Sequence, residues 1–160
     1  MGLKIGGSSY TAAGDSLGKS TSRSGATISG IITYPFFRRD WFALQTDQNV
    51  GIKGWSTPSS KVDHAYYNFA ILGKFTLGKF LWPDDRYDSL YVSIGPYVET
   101  GSSGGGTRKL DWGYVPSVSV ELFGPTRLLL ALQSHISLRE AVKGQDIKYR
   151  IHSWMIGFQF

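Results

Sequence analysis

The last eight residues, Ser153 to Phe160, read SWMIGFQF and carry the strongest fold signal in the chain. Every second residue back from the end is large and apolar, namely Phe160, Phe158, Ile156 and Trp154. This alternation is typical of a β-strand with one apolar face. Soluble domains usually end in a frayed, polar tail. A final strand that closes on phenylalanine therefore suggests a sheet whose apolar face does not meet water.

The same alternation runs through the rest of the chain, broken by clusters of Gly, Ser, Pro and Asp. The longest aliphatic run, Leu128 to Leu132, is far shorter than the roughly 18 apolar residues of a transmembrane helix. We predict one domain, residues 1–160, that is all-β and forms an eight-stranded antiparallel up-and-down transmembrane β-barrel. The predicted strands are 2–12, 26–36, 41–55, 64–77, 89–100, 109–123, 127–140 and 146–160.

The connections between these strands fall into two groups. Tight turns are predicted at 37–40 and 124–126, after the second and sixth strands, and a longer segment at 78–88 lies on the same rim. The connections after the odd-numbered strands are mostly longer and rich in Gly, Ser, Thr and Lys. Outer-membrane barrels show this asymmetry, with periplasmic turns on one rim and extracellular loops on the other.

The size of the polar side chains indicates which face lies inside. In strand 109–123, Leu110 and Trp112 alternate with the smaller Gly113 and Ser117. A water-facing exterior would carry long Lys, Glu and Arg side chains, whereas small polar residues fit the narrow lumen of an eight-stranded barrel. We therefore expect the bulky face to meet lipid. A soluble lipocalin-like ligand binder, which would direct its Val and Leu side chains into a cavity, remains a further alternative.

Charged residues on the small-residue face predict an internal ion-pair network, because buried charges need partners. Pro96 and Pro116 interrupt predicted strands, and we expect bulges or irregular points there. The predicted members of the lumen network are Asp47, Lys53, Lys74, Glu99, Asp111, Glu121 and Arg139.

Composition narrows the function classes. Aromatic residues make up 14% of the chain and gather near the strand ends, as in the interfacial belts of membrane barrels. The belt predicted on the long-loop rim contains Tyr10, Trp55, Tyr66, Tyr67, Tyr97, Trp112 and Tyr114. The absence of cysteine excludes a disulfide scaffold. The net charge of +5 favours attraction to lipopolysaccharide phosphates. No motif predicts nucleic-acid binding, a cofactor or a metal site.

The sequence resembles the PorT-type outer-membrane barrel family, and the terminal strand resembles the signature that such barrels present to their assembly machinery. In that signature, Trp154, Ile156, Phe158 and Phe160 would face lipid. The resemblance is carried by GLKIGGSSY (2–10), DWFALQTDQNVGIKGW (40–55), YYNFAILGKF (66–75), YVSIGPYVETG (91–101) and LDWGYVPSVSVELF (110–123).

This resemblance implies an outer-membrane protein of a Gram-negative envelope whose signal peptide has been removed. We expect a non-enzymatic barrel with a lumen plugged by side chains, and a structural, surface-interaction or envelope-assembly accessory role. The expected partners are outer-membrane lipid and lipopolysaccharide, the barrel-assembly machinery and another envelope protein.

The runner-up hypothesis is a lipid A-modifying enzyme. His135 and Ser137 lie two residues apart and would share a face, so the imidazole would reach the hydroxyl, with Glu140 or Glu121 to orient it. This pair resembles a lipid A deacylase-like His-x-Ser motif. His152 lies on the Phe160 face, near the outer end of the last strand.

Overall fold

The computed structural model describes residues 1–13, 22–35, 41–56, 61–77, 90–102, 108–122, 127–138 and 148–160. These residues form eight strands, each long enough to cross a bilayer when tilted. The strands are β1 (Gly2–Ala13), β2 (Ser22–Pro35), β3 (Phe42–Ser56), β4 (Lys61–Thr76), β5 (Leu90–Ser102), β6 (Arg108–Leu122), β7 (Arg127–Ser137) and β8 (Lys148–Gln159).

Each strand pairs antiparallel with its sequence neighbours, and β8 pairs with β1, so the sheet is a closed barrel. Once around the barrel, the paired residues advance along β1 from Gly2 to Ala12, a stagger of ten residues that requires the strands to tilt. Closure leaves no unpaired sheet edge, which is the condition for a sheet in hydrocarbon. The predicted fold class is confirmed.

The predicted boundaries are correct to within a few residues. The largest differences are at β2, which starts four residues early at Ser22, at β4, which starts three residues early at Lys61, and at β7, which ends three residues early at Ser137. Of the bulges or irregular points expected at Pro96 and Pro116, the structure shows irregular points. The pairing is interrupted beside each proline, since proline donates no ladder hydrogen bond, and the register is the same on both sides.

The two faces of the sheet have the predicted orientation. Apolar side chains point outward and small polar side chains are buried inside, the reverse of a lipocalin, so the structure excludes that alternative. Leu132 is 64% exposed, whereas the adjacent Gln133 is 2% exposed. Other exposed apolar residues include Leu3, Ile5, Ile28, Val50, Ile71, Ile94, Val98, Leu110, Val118, Leu122, Ile156 and Phe158.

Only part of the predicted outer aromatic belt faces lipid. Tyr67, Trp112 and Tyr114 are exposed on the outside of the barrel. Tyr10, Tyr66 and Tyr97, which we expected in the same belt, are buried in the lumen. These three occupy the small-residue face of their strands, so strand parity determines their position more than their closeness to the rim. The side chain of Trp55 lies outside the described residues.

Glycines on neighbouring strands provide the space for these lumen tyrosines. A Cβ atom at Gly113 would lie 2.8 Å from the Tyr97 ring, and one at Gly51 would lie 2.8 Å from the Tyr66 ring. Each ring therefore packs against a position where only a hydrogen fits. The glycine content of these strands is thus a packing requirement of a narrow lumen.

Candidate functional site

The centre of the lumen is crossed by a buried hydrogen-bond network around Asp47. Lys4 Nζ on β1 lies 2.8 Å from Asp47 Oδ2, and Gln45 Nε2 donates to Asp47 Oδ1 at 2.8 Å. Gln133 Nε2 on β7 donates to Asp47 Oδ2 at 2.6 Å. Lys4 and Asp47 are each 1% exposed. We refer to Lys4, Gln45, Asp47 and Gln133 as the cross-lumen network.

The cross-lumen network joins opposite walls of the barrel. Asp47 is on β3 and Gln133 on β7, which are diametrically opposite in a closed ring of eight strands. This 2.6 Å contact bridges the lumen between opposite walls at that level. The buried carboxylate is compensated by one cation and two amide donors, as a charge in a low-dielectric interior requires.

A second ion pair lies nearer the rim that holds the chain termini. Lys74 Nζ is 2.6 Å from Glu121 Oε1, and the same ammonium lies 3.9 Å from the centre of the Tyr91 ring. The Tyr91 hydroxyl donates to Glu121 Oε2 at 3.4 Å. These residues line an open cavity of about 170 Å³ together with Arg127 and Gln159. The cavity is a shallow mouth below the cross-lumen network.

The energetic role of this second pair can be measured by removing its two contacts separately. We expect Glu121→Gln to lower the free energy of unfolding by about 1–3 kcal/mol, because Lys74 then loses its counter-charge and keeps neutral partners, the glutamine amide oxygen and the Tyr91 ring. Tyr91→Phe, which keeps the ring and removes the hydroxyl, should cost no more than about 1 kcal/mol. Urea unfolding in detergent micelles measures both. Equal losses for the two variants would show that the ion pair is not the dominant contact.

A third polar group lies toward the opposite, long-loop rim. Ser137 Oγ donates to Asp111 Oδ1 at 2.6 Å, and the Tyr97 hydroxyl donates to Asp111 Oδ2 at 3.3 Å. The ring of His135 packs edge-on against Tyr97, with the ring centres 5.2 Å apart. Glu99 is 1% exposed and is paired with Asp111 in the β5–β6 register.

Hydroxyl groups fill the lumen beside this group. The Ser8 hydroxyl donates to the Tyr10 hydroxyl at 2.6 Å, and the Thr27 and Tyr66 hydroxyls lie 2.8 Å apart. The Tyr10 and Tyr66 rings meet edge-on with centres 6.3 Å apart. With the two ion pairs, this cluster gives the lumen polar contacts along most of its length, so side chains fill it.

The structure brings together part of the charge network that the sequence predicts. Lys74 contacts Glu121, while Asp47 pairs with Lys4, a residue absent from the predicted set. Arg139 lies outside the described residues, as does the side chain of Lys53. The signal for Lys4 was present, because it alternates with Leu3 and Ile5 in the first strand. Gln133 carries no charge, and nothing in its local sequence indicates that it reaches the opposite wall.

The structure also places the histidine and serine of the enzyme hypothesis. His135 and Ser137 are both buried, at 3% and 2% exposure, and face the lumen, where the acyl chains of a membrane lipid do not reach them. Of the two residues expected to orient the imidazole, Glu140 lies outside the described residues, and Glu121 contacts Lys74 toward the terminal rim. A different histidine and serine meet on the outside of the barrel. Ser134 Oγ lies 2.8 Å from His152 Nδ1 on the lipid-facing side.

The terminal strand closes the barrel as its pattern predicts. Trp154, Ile156, Phe158 and Phe160 are all exposed on the outer surface, and Phe160 is 83% exposed. The backbone N–H of Phe160 donates to the Met1 carbonyl at 2.7 Å, and the Met1 ammonium donates to the Phe160 carbonyl at 3.0 Å. Met1 and Phe160 are therefore hydrogen-bonded to each other where β8 pairs with β1.

The described part of the chain holds no candidate metal site. Among those residues, no three His, Asp or Glu side chains lie close enough together to hold a metal ion. Within the same residues, no helix is long and apolar enough to cross a bilayer.

The barrel is similar to several solved outer-membrane barrels. With Neisserial surface protein A it has a TM-score of 0.61 at 15% identity, covering 99% of this chain and 96% of that one. For Ail of Yersinia pestis the TM-score is 0.55 at 14% identity, with 99% and 97% covered. For the outer membrane enzyme PagL the TM-score is 0.51 at 11% identity, with 98% and 99% covered.

The chain matches no protein-family model and no curated protein. At such identities the structural likeness describes the fold alone. An apolar exterior over a polar, filled interior is what hydrocarbon on the outside requires. The chain is an eight-stranded transmembrane β-barrel with the fold of bacterial outer-membrane proteins, and the outer membrane is its location.

Proposed function

We propose that this protein is a non-enzymatic outer-membrane barrel that acts through its outer surface and loops as a structural, surface-interaction or envelope-assembly accessory. The contact between Gln133 and Asp47 on opposite walls carries this proposal, because it argues against transport of solutes through the lumen. The resemblance to the PorT-type family supports an accessory role. Its expected partners are lipopolysaccharide, the barrel-assembly machinery and a second envelope protein.

Solute conduction tests the proposal directly. We expect the purified chain in planar bilayers to give no steady conductance above that of protein-free membranes, because the cross-lumen network closes the centre of the barrel. A stable, voltage-independent open level from the folded protein would contradict the proposal. Heat-modifiable migration of the same sample in gels verifies that the barrel is folded.

The second arm of the test concerns chemistry on lipid. His135 and Ser137 face the lumen, away from the acyl chains of membrane lipid, and this supports the non-enzymatic role. Incubating the folded protein with lipopolysaccharide and analysing lipid A by mass spectrometry should show an unchanged set of acyl chains. Loss of one acyl chain in the wild type would favour an enzyme and would count against the accessory role.

A further inference from the structure

The outward face of β8 changes from apolar to polar at His152. Below it, toward the terminal rim, the outward residues from Trp154 to Phe160 are aromatic or aliphatic. Above it, the next outward residue is Arg150, which is exposed. Residues two apart on a strand share a face, so Arg150 and His152 lie side by side on the outside of the barrel. Two nitrogen-bearing side chains thus interrupt a surface that is otherwise suited to acyl chains.

Ser134 fixes the histidine ring from the neighbouring strand. Ser134 is paired with His152 in the β7–β8 register, and its Oγ lies 2.8 Å from Nδ1. In the neutral tautomer that carries its hydrogen on Nε2, the serine donates to Nδ1. In the charged ring Nδ1–H donates to the serine, and Nε2 again carries a hydrogen. In this tautomer and in the charged ring, Nε2–H is a donor for a ligand on the outside of the barrel.

The depth of these residues in the membrane follows from their strand position. His152 is four residues from the start of β8 at Lys148 and eight from Phe160 at the opposite rim. Just below it, the Trp154 indole lies over Gly7 of β1, where an added Cβ would come within 2.7 Å of the ring. Trp154 is thus at the middle of β8, six residues from Lys148 and six from Phe160. Arg150 and His152 accordingly lie in the part of β8 away from the terminal rim, where the strand leaves the apolar band.

A cation facing acyl chains is unfavourable, most strongly at the bilayer midplane and much less near the interface. A phosphate at this level would remove that cost, since guanidinium binds phosphate through two parallel hydrogen bonds. The chain's net charge of +5 adds a general attraction for anionic lipid. We propose that Arg150, His152 and Ser134 form a binding site for the phosphate group of an outer-leaflet lipid.

Binding of lipid A tests this site. The full chain in detergent is titrated with diphosphoryl lipid A and with fully dephosphorylated lipid A, and bound lipid is counted by native mass spectrometry. We expect Arg150→Gln to weaken binding of diphosphoryl lipid A about tenfold, and Ser134→Ala to weaken it about threefold. The matched control is Arg127→Gln, which removes the same charge at the opposite rim and should bind like the wild type.

Several outcomes would overturn the proposal. Equal affinity of Arg150→Gln and the wild type would show that the arginine does not bind the lipid. Equal binding of dephosphorylated lipid A would show that the site does not recognise the phosphate. Full displacement of the lipid by excess inorganic phosphate would assign the site to a free anion. Loss of an acyl chain from bound lipid A would assign the Ser134–His152 pair to ester hydrolysis. Should Arg150→Gln lose heat-modifiable migration, His152→Leu, which removes the adjacent donor, replaces it, with the same expectation.

Discussion

Replacing Asp47 with alanine is expected to lower the free energy of unfolding by about 3–5 kcal/mol. The variant removes the carboxylate that pairs with Lys4, whose side chain is 1% exposed. It also leaves the amides of Gln45 and Gln133 without their acceptor. Urea titration in lipid vesicles, followed by tryptophan fluorescence, measures the change.

A matched series separates the buried charge from the general loss of packing. Gln45→Ala removes one amide donor and leaves the ion pair intact, so it should cost only about 1–2 kcal/mol. The double variant Lys4→Met, Asp47→Leu removes both charges and should recover a large part of the Asp47→Ala loss, because apolar replacements often match buried ion pairs in stability. A double variant that is less stable than Asp47→Ala alone would contradict this explanation.

The fold was predictable because apolar and small polar residues alternate in every strand. Alternation with period two identified the eight strands, and the small size of residues such as Gly113 and Ser117 indicated that the polar face is the inside. Boundaries were less accurate where a strand runs on into polar sequence, as β2 does below Gly25. The sequence there has no apolar residue to continue the pattern.

The contacts inside the lumen were less predictable, since they join residues far apart in the chain. Asp47 and Gln133 are 86 residues apart and meet only because β3 and β7 are opposite each other. Alternation places both side chains in the lumen but says nothing about their level along the axis. That level depends on the stagger of the barrel, which the sequence does not reveal.

The external Ser134–His152 pair was missed for the same reason. The His-x-Ser spacing lies within one strand and indicates His135 and Ser137, which share the lumen face, as strand parity predicts. Partners on adjacent strands follow instead from the β7–β8 register, in which Ser134 is opposite His152. The pair at the lipid surface could therefore be identified only from the register.

The lumen face and the outward face of this barrel have different roles. The inside holds the cross-lumen network and the Lys74–Glu121 pair, in which the charged groups pair within the protein. The outside carries Trp112, Trp154, Arg150 and the Ser134–His152 pair, and this surface meets lipid or another protein. Substitutions inside should therefore change stability, and substitutions outside should change association, as the Asp47 and Arg150 variants are designed to show.

Deleting Phe160 is expected to reduce the amount of protein in the outer membrane strongly while reducing stability in detergent by only about 1–2 kcal/mol. The stability loss is small because deletion removes one side chain that is 83% exposed and two backbone contacts with Met1. We expect a large loss of folded protein from the membrane because the resemblance of this strand to the assembly signature implies that the assembly machinery binds the outward aromatic residue at the end of β8. Folded protein in membrane fractions, scored by heat-modifiable migration, is compared with the yield of detergent refolding.

The matched control for this deletion is Phe160→Leu. It keeps the backbone contacts with Met1 and an apolar outward side chain, but removes the aromatic ring. We expect Phe160→Leu to refold in detergent like the wild type and to accumulate in the membrane to an intermediate level. Equal membrane yields for the deletion, the leucine variant and the wild type would show that closure of β8 onto β1, not its terminal aromatic, is sufficient for assembly.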